Sequence, residues 1–144
     1  MKVAILYESR SGNTARVANM IGAAAEELGA EVGVWPSGKA NLDFLTGADL
    51  VFIGTWTDGA IIAGHRPGDS RRLKAIPGIW DQPTAGFVTY AIHAGNVLDK
   101  LERVVTDRGG EWIGGRLFKR GRLSTGVGAF VTAAFDAVTA DTQT

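Results

Sequence analysis

A chain of 144 residues with 45% hydrophobic content has the length of one ordinary domain and can bury its own core. It contains no cysteine, which excludes disulfides, a thiolate nucleophile, an iron–sulfur cluster and a cysteine-ligated zinc. Fifteen basic residues balance fifteen acidic ones, too little basic excess for a nucleic-acid surface. Glu8 breaks the first apolar run too early for a secretory segment, and no run approaches the ~18 apolar residues of a membrane span; a cytoplasmic protein engaging neither membrane nor nucleic acid is expected.

In chain order, Lys2–Glu8 is an apolar run that ends at a Ser/Gly/Asn loop and predicts a first strand. Asn13–Leu28 predicts a helix, with Val17, Ile21, Ala24, Ala25 and Leu28 on one face and Gly29 as its stop. Glu31–Trp35 reads as a second strand, Leu42–Leu45 as at most a short helix, and Asp49–Gly54 as a third strand apolar enough to be covered on both faces. Residues 55–82 form a long stretch broken by Pro67 and Pro77, with room for one helical turn around Ser70–Ala75; long loops in compact domains are usually functional. Thr84–Tyr90 follows as a fourth strand and Asn96–Arg108 as a helix with Val97, Leu98, Leu101, Val104 and Val105 facing inward. Glu111–Phe118 is a fifth strand weakened by Gly114 and Gly115, a last helix spans Ala129–Thr139, and 140–144 reads as a frayed tail.

Strands alternating with helices imply an α/β, doubly wound parallel sheet, because parallel neighbours need crossovers and these are right-handed. Ligands of such sheets bind beyond the carboxyl ends of the strands, where strand order reverses. The loops after strands one, three and four are therefore the candidate site.

The first of them, Ser9-Arg10-Ser11-Gly12-Asn13-Thr14, joins a strand to a helix N-terminus, where unpaired N–H groups and the positive end of the dipole attract an anion. Ser9, Ser11, Asn13 and Thr14 add neutral donors around a glycine, a set suited to a phosphate dianion. The competing explanation is that these side chains merely cap the helix. Gly33–Ala40 comes within one residue of a nucleoside-triphosphate loop, but Ala40 stands where a Ser or Thr would hold magnesium. His65 and His93 are too far apart in sequence to suggest a local metal site.

The stretch Ile5-Leu6-Tyr7-x-Ser9-x-x-Gly12-x-Thr14 resembles the signature of the flavodoxin family, departing from it only in Ser11 where threonine is usual. The resemblance implies a three-layer sandwich over 1–139 with five parallel strands in the order 2-1-3-4-5, the order for which flavodoxins are the standard example. It also implies FMN held by its phosphate in this loop. It further implies that Trp56, within Thr55-Trp56-Thr57-Asp58-Gly59, lies against one face of the flavin ring, and that the Thr57 carbonyl turns toward the reduced flavin. For the other face the segment Thr89, Tyr90, Ala91, His93 and Gly95 is implied, with Tyr90 and His93 competing for the contact because the family's usual Phe-Gly-x-Gly-Asp is absent. An electron carrier serving a reductase and an acceptor protein is the activity implied, as a monomer or weak dimer. An FMN-dependent oxidoreductase of the quinone-reductase or protoporphyrinogen-oxidase type is the alternative.

Charge sets the chain apart within that resemblance. Flavodoxins are typically acidic and recruit basic partners, whereas this chain is neutral and carries two basic clusters, Arg66, Arg71, Arg72 and Lys74, then Arg116, Lys119, Arg120 and Arg122. A solvated rim accounts for both. If the first cluster flanks the flavin, a partner with an acidic or neutral docking face is expected.

Overall fold

The computed structural model describes residues 1–57, 78–79 and 81–143, with no side-chain description beyond residue 140. Five strands, β1 (Lys2–Tyr7), β2 (Glu31–Pro36), β3 (Leu50–Trp56), β4 (Pro83–Tyr90) and β5 (Glu111–Lys119), form one parallel sheet in the order β2-β1-β3-β4-β5. Around it lie α1 (Asn13–Glu27), α2 (Leu42–Thr46), α3 (Val97–Asp107) and α4 (Val127–Gln143). This is the three-layer sandwich and strand order that the sequence implied. Order reverses between β1 and β3, both of which start beside each other and end at the same edge.

Side-chain alternation along the inner strands separates two cores. Val3, Ile5, Phe52, Phe87 and Phe118 face α1 and α4, meeting Val17, Ile21, Phe130 and Val131. Ala4, Leu6, Val51, Ile53 and Val88 face the opposite way, toward α2 and α3, and pack with Leu45, Leu101 and Val105. Both faces of β3 and β4 are thus covered, as the apolar composition of β3 required.

Glycines in the strands make room for aromatic rings rather than weakening the sheet. A Cβ on Gly54 would stand 2.1 Å from the Phe87 ring, and one on Gly86 would stand 2.4 Å from the Trp112 indole. In β5 the ladder skips Ile113, pairing Thr84 with Trp112 and then Ala85 with Gly114. Gly114 takes φ 138° there, a value that accommodates the bulge without Cβ strain.

Most element ends differ from the sequence expectation by one or two residues, and three of the differences bear on the site or the packing. β3 runs on to Trp56, so Thr55 and Trp56 belong to a strand end and not to a loop. Leu28 falls after α1 as its C-cap and is exposed, because the helix stops one residue earlier than its apolar spacing suggests. α4 continues to Gln143, so 140–143 is helical where a tail was expected. The expected turn at Ser70–Ala75, the Arg66–Lys74 cluster, Asp58 and Gly59 lie outside the described residues.

Candidate flavin site

At the carboxyl edge of the sheet the β1–α1 loop is shaped by Gly12, which adopts φ 92° at the N-cap of α1. The Ser9 hydroxyl oxygen accepts the Gly12 N–H at 3.1 Å and folds the loop back on itself. No side chain caps α1. The first intrahelical bond is from Arg16 N–H to the Gly12 carbonyl at 3.0 Å, so the N–H groups of the opening turn are left for a ligand. A Cβ on Gly12 would meet nothing within 4 Å, which places an open approach beside those donors. A loop built only to cap the helix would have placed a side-chain oxygen on them, and this one does not.

Four ties hold the surrounding strand ends together. Glu8 N–H donates to the Gly54 carbonyl at 2.9 Å, joining β1 to β3. Thr57 N–H donates to the Thr89 carbonyl at 3.2 Å, joining β3 to β4. Arg120 N–H donates to the Tyr90 carbonyl at 2.7 Å, joining β4 to β5. The fourth tie is between side chains, where the Thr14 and Thr89 hydroxyls lie 2.8 Å apart in a buried contact. One of these hydroxyls must donate to the other, which leaves a single O–H of the pair available to anything else.

A cleft opens between these ends, lined by Arg10, Ser11, Asn13, Trp56, Thr57, Thr89, Tyr90, Ala91 and Arg120. Ser11, Asn13 and Arg120 also line a larger neighbouring cleft of ≈ 620 Å³, where Arg16, Met20 and Ser124 join them. The sequence-derived residues therefore divide. Arg10, Ser11, Asn13, Trp56, Thr57, Thr89, Tyr90 and Ala91 converge on one cleft. Ser9 acts on Gly12, while Thr14 and Thr55 are buried. The Thr55 hydroxyl donates at 2.8 Å to the carboxylate of Glu8, itself only 5% exposed. His93 and Gly95 are exposed in the loop beyond Tyr90 and do not line the cleft; of the two competing rings, Tyr90 is the one at the cleft wall.

Sequence reasoning missed Arg120, which lines both clefts, because it searched only the loops after strands one, three and four. Its place in a basic cluster immediately following the fifth strand was the available signal. Glu8 was missed as well, having been read only as an interruption of the first strand.

A parallel sheet in the order 2-1-3-4-5, with an uncapped glycine-led helix N-terminus at its switch point, defines a protein of the flavodoxin-like class. The flavodoxin domain family model matches residues 4–143, and the chain belongs to that family. Its cofactor is non-covalently bound FMN, and the donors at the start of α1 beside an aromatic-walled cleft fit that group. Among solved structures, oxidised Flavodoxin 2 from Bacillus cereus is 20% identical with a TM-score of 0.72, covering 95% of this chain and 99% of that one. A flavodoxin from the domain Archaea is 21% identical with a TM-score of 0.69, covering 96% and 99%. A flavodiiron core from Synechocystis sp. PCC6803 is 21% identical with a TM-score of 0.68, covering 98% of this chain but 36% of that one. No curated protein matches the sequence.

Proposed function

We propose that the chain carries electrons between protein partners through FMN, holding the phosphate at the start of α1 and the ring between Trp56 and Tyr90. Bound FMN supplies one- and two-electron redox chemistry. The chain's own residues position it: Gly12 opens the approach, Ser11 and Asn13 offer side-chain donors, and Arg10 and Arg120 add positive charge for a terminal phosphate. Trp56 and Tyr90 supply apolar faces that exclude water from the ring. Asp58 and Gly59 complete the proposed set from the segment that follows Trp56.

The observation carrying this reading is the composition of the cleft wall. It brings the Trp56 and Tyr90 rings together with the guanidiniums of Arg10 and Arg120 beside the uncapped start of α1, an apolar wall for a ring and positive charge for its phosphate. Electron transfer needs only a held and accessible flavin. No helix among the described residues is long and apolar enough to cross a membrane.

An absorption spectrum followed through stepwise anaerobic reduction tests the proposal, together with comparison of FMN and riboflavin affinity. Flavin absorbance, one-electron steps and a preference for FMN are expected, with no steady-state turnover of quinones by NAD(P)H. Equal affinity for riboflavin removes the phosphate assignment, and sustained quinone turnover replaces the carrier by an oxidoreductase.

A further inference from the structure

A chain with zero formal charge can still be polarised, and the described residues of this one are. In the β1–α1, β4–α3 and β5–α4 segments, residues 9–16, 89–96 and 119–126 hold five basic side chains, Arg10, Arg16, Lys119, Arg120 and Arg122, and no acidic one. The fold brings those three segments to one edge. Arg10 and Arg120 share the flavin cleft, and Arg16 and Arg120 share the larger cleft beside it. Turns from Arg122 N–H to the Lys119 carbonyl, at 2.9 Å, and from Thr125 N–H to the Arg122 carbonyl, at 3.1 Å, fix the β5–α4 segment. Lys119, Arg120 and Arg122 are all exposed.

Among the described residues, acids gather at the opposite edge. Glu26 and Glu27 end α1, Asp107 ends α3, Glu31 and Glu111 open β2 and β5, and Asp49 precedes β3, opposed there by Lys2 and Arg108. At the cleft edge, Glu8 is buried against Thr55 and Asp99 is followed directly by Lys100. The helix dipoles add to the same polarity, because α1 and α3 point their positive N-termini to the cleft edge. A bound phosphate would offset roughly two of the five positive charges and leave the rim basic.

Beside this rim, Ile92 in the β4–α3 loop is 78% exposed. This exposed aliphatic side chain offers apolar area beside the charged rim for a protein surface to bury.

Resting on the electron-carrier reading, we propose that the Arg10, Arg16, Lys119, Arg120 and Arg122 rim, with Ile92 at its margin, is the docking surface for an acidic face of a redox protein. The molecule's charge separation turns the cleft edge toward negative potential before contact. Orientation then comes mainly from the dipole, since the chain itself carries zero formal charge and bound FMN adds only its own.

Two probes test it. First, the FMN-loaded, fully reduced protein is oxidised by hexacyanoferrate(III) and, separately, by tris(phenanthroline)cobalt(III); each ion takes one electron from the flavin, iron(III) becoming iron(II) and cobalt(III) becoming cobalt(II). The rate with the anionic oxidant should fall by about three- to tenfold as salt is raised from about 10 mM to about 300 mM, and that with the cationic oxidant should rise. The Lys119→Glu/Arg122→Glu variant, whose residues do not line the flavin cleft, should abolish or invert both slopes. Second, a short polyglutamate peptide is titrated into the labelled protein and followed by amide NMR. Shifts should concentrate at Arg10, Arg16, Ile92 and Lys119–Arg122 and vanish in that variant and at high salt. Slopes near zero, shifts elsewhere, or the same shifts from oligothymidylate but not from polyglutamate would overturn the proposal. A protein without flavin absorbance fails the carrier reading instead, and the peptide titration still decides the rim.

Discussion

The loops after β1 and β4 reach the same cleft, yet they differ in what holds them to their task. The β1–α1 loop is specified by backbone: Gly12 in the left-handed region, an uncapped helix start, and a Ser9 hydroxyl that folds the loop on itself. The β4–α3 loop is specified by its neighbours, with Thr89 tied to Thr14 and Thr57 and the Tyr90 carbonyl taken by Arg120. Backbone-encoded sites leave a local signature in sequence, because few residues tolerate the required φ. A site assembled by contacts from three other elements leaves almost none.

The comparison can be broken most sharply at Gly12. Gly12→Val places a β-branched residue at φ 92°, at a cost of about 1–3 kcal/mol, and fills the approach to the helix N-terminus. FMN affinity should fall by about a hundredfold, read from flavin fluorescence on titration. Unchanged affinity would move the phosphate elsewhere.

Trp56→Ala tests the cleft wall between the two loops. Loss of the indole face should weaken FMN by about 1–3 kcal/mol and remove the change in tryptophan fluorescence that accompanies flavin release. If binding is unaffected, Trp56 is a strand-end residue only and stacking rests on Tyr90.

The coupling between the loops is measured by a double-mutant cycle on Thr14→Val and Thr89→Val in urea unfolding of the flavin-free protein. A buried hydroxyl pair 2.8 Å apart should give an interaction of about 1 kcal/mol. Strict additivity would mean the two loops are built independently.

The finest distinction is between the two rings of the β4–α3 loop. Tyr90→Ala should cost about 1 kcal/mol of FMN binding, whereas His93→Ala, in an exposed side chain away from the cleft wall, should change it by less than about 0.5 kcal/mol. The reverse order would return His93 to the stacking position.

The sequence by itself determined the architecture. Short apolar runs, helical faces of period 3.6 and the glycine at position 12 are local demands of the backbone, and they sufficed for the alternation of strands and helices and for the loop that begins α1, while the strand order came with the resemblance. Tertiary structure alone decided that Thr14 spends its hydroxyl on Thr89, that Thr55 turns inward to Glu8, that Tyr90 and not His93 lines the cleft, and that Arg120 joins it. Each of those outcomes depends on which strand lies beside which, across separations of up to 75 residues in the case of Thr14 and Thr89. The same holds for charge. A sequence with equal numbers of acids and bases carries no net monopole, and only the parallel sheet, by sending alternate connections to opposite edges, gathers Arg10, Arg16, Lys119, Arg120 and Arg122 at the cleft edge and Glu26, Glu27, Glu31 and Glu111 at the other.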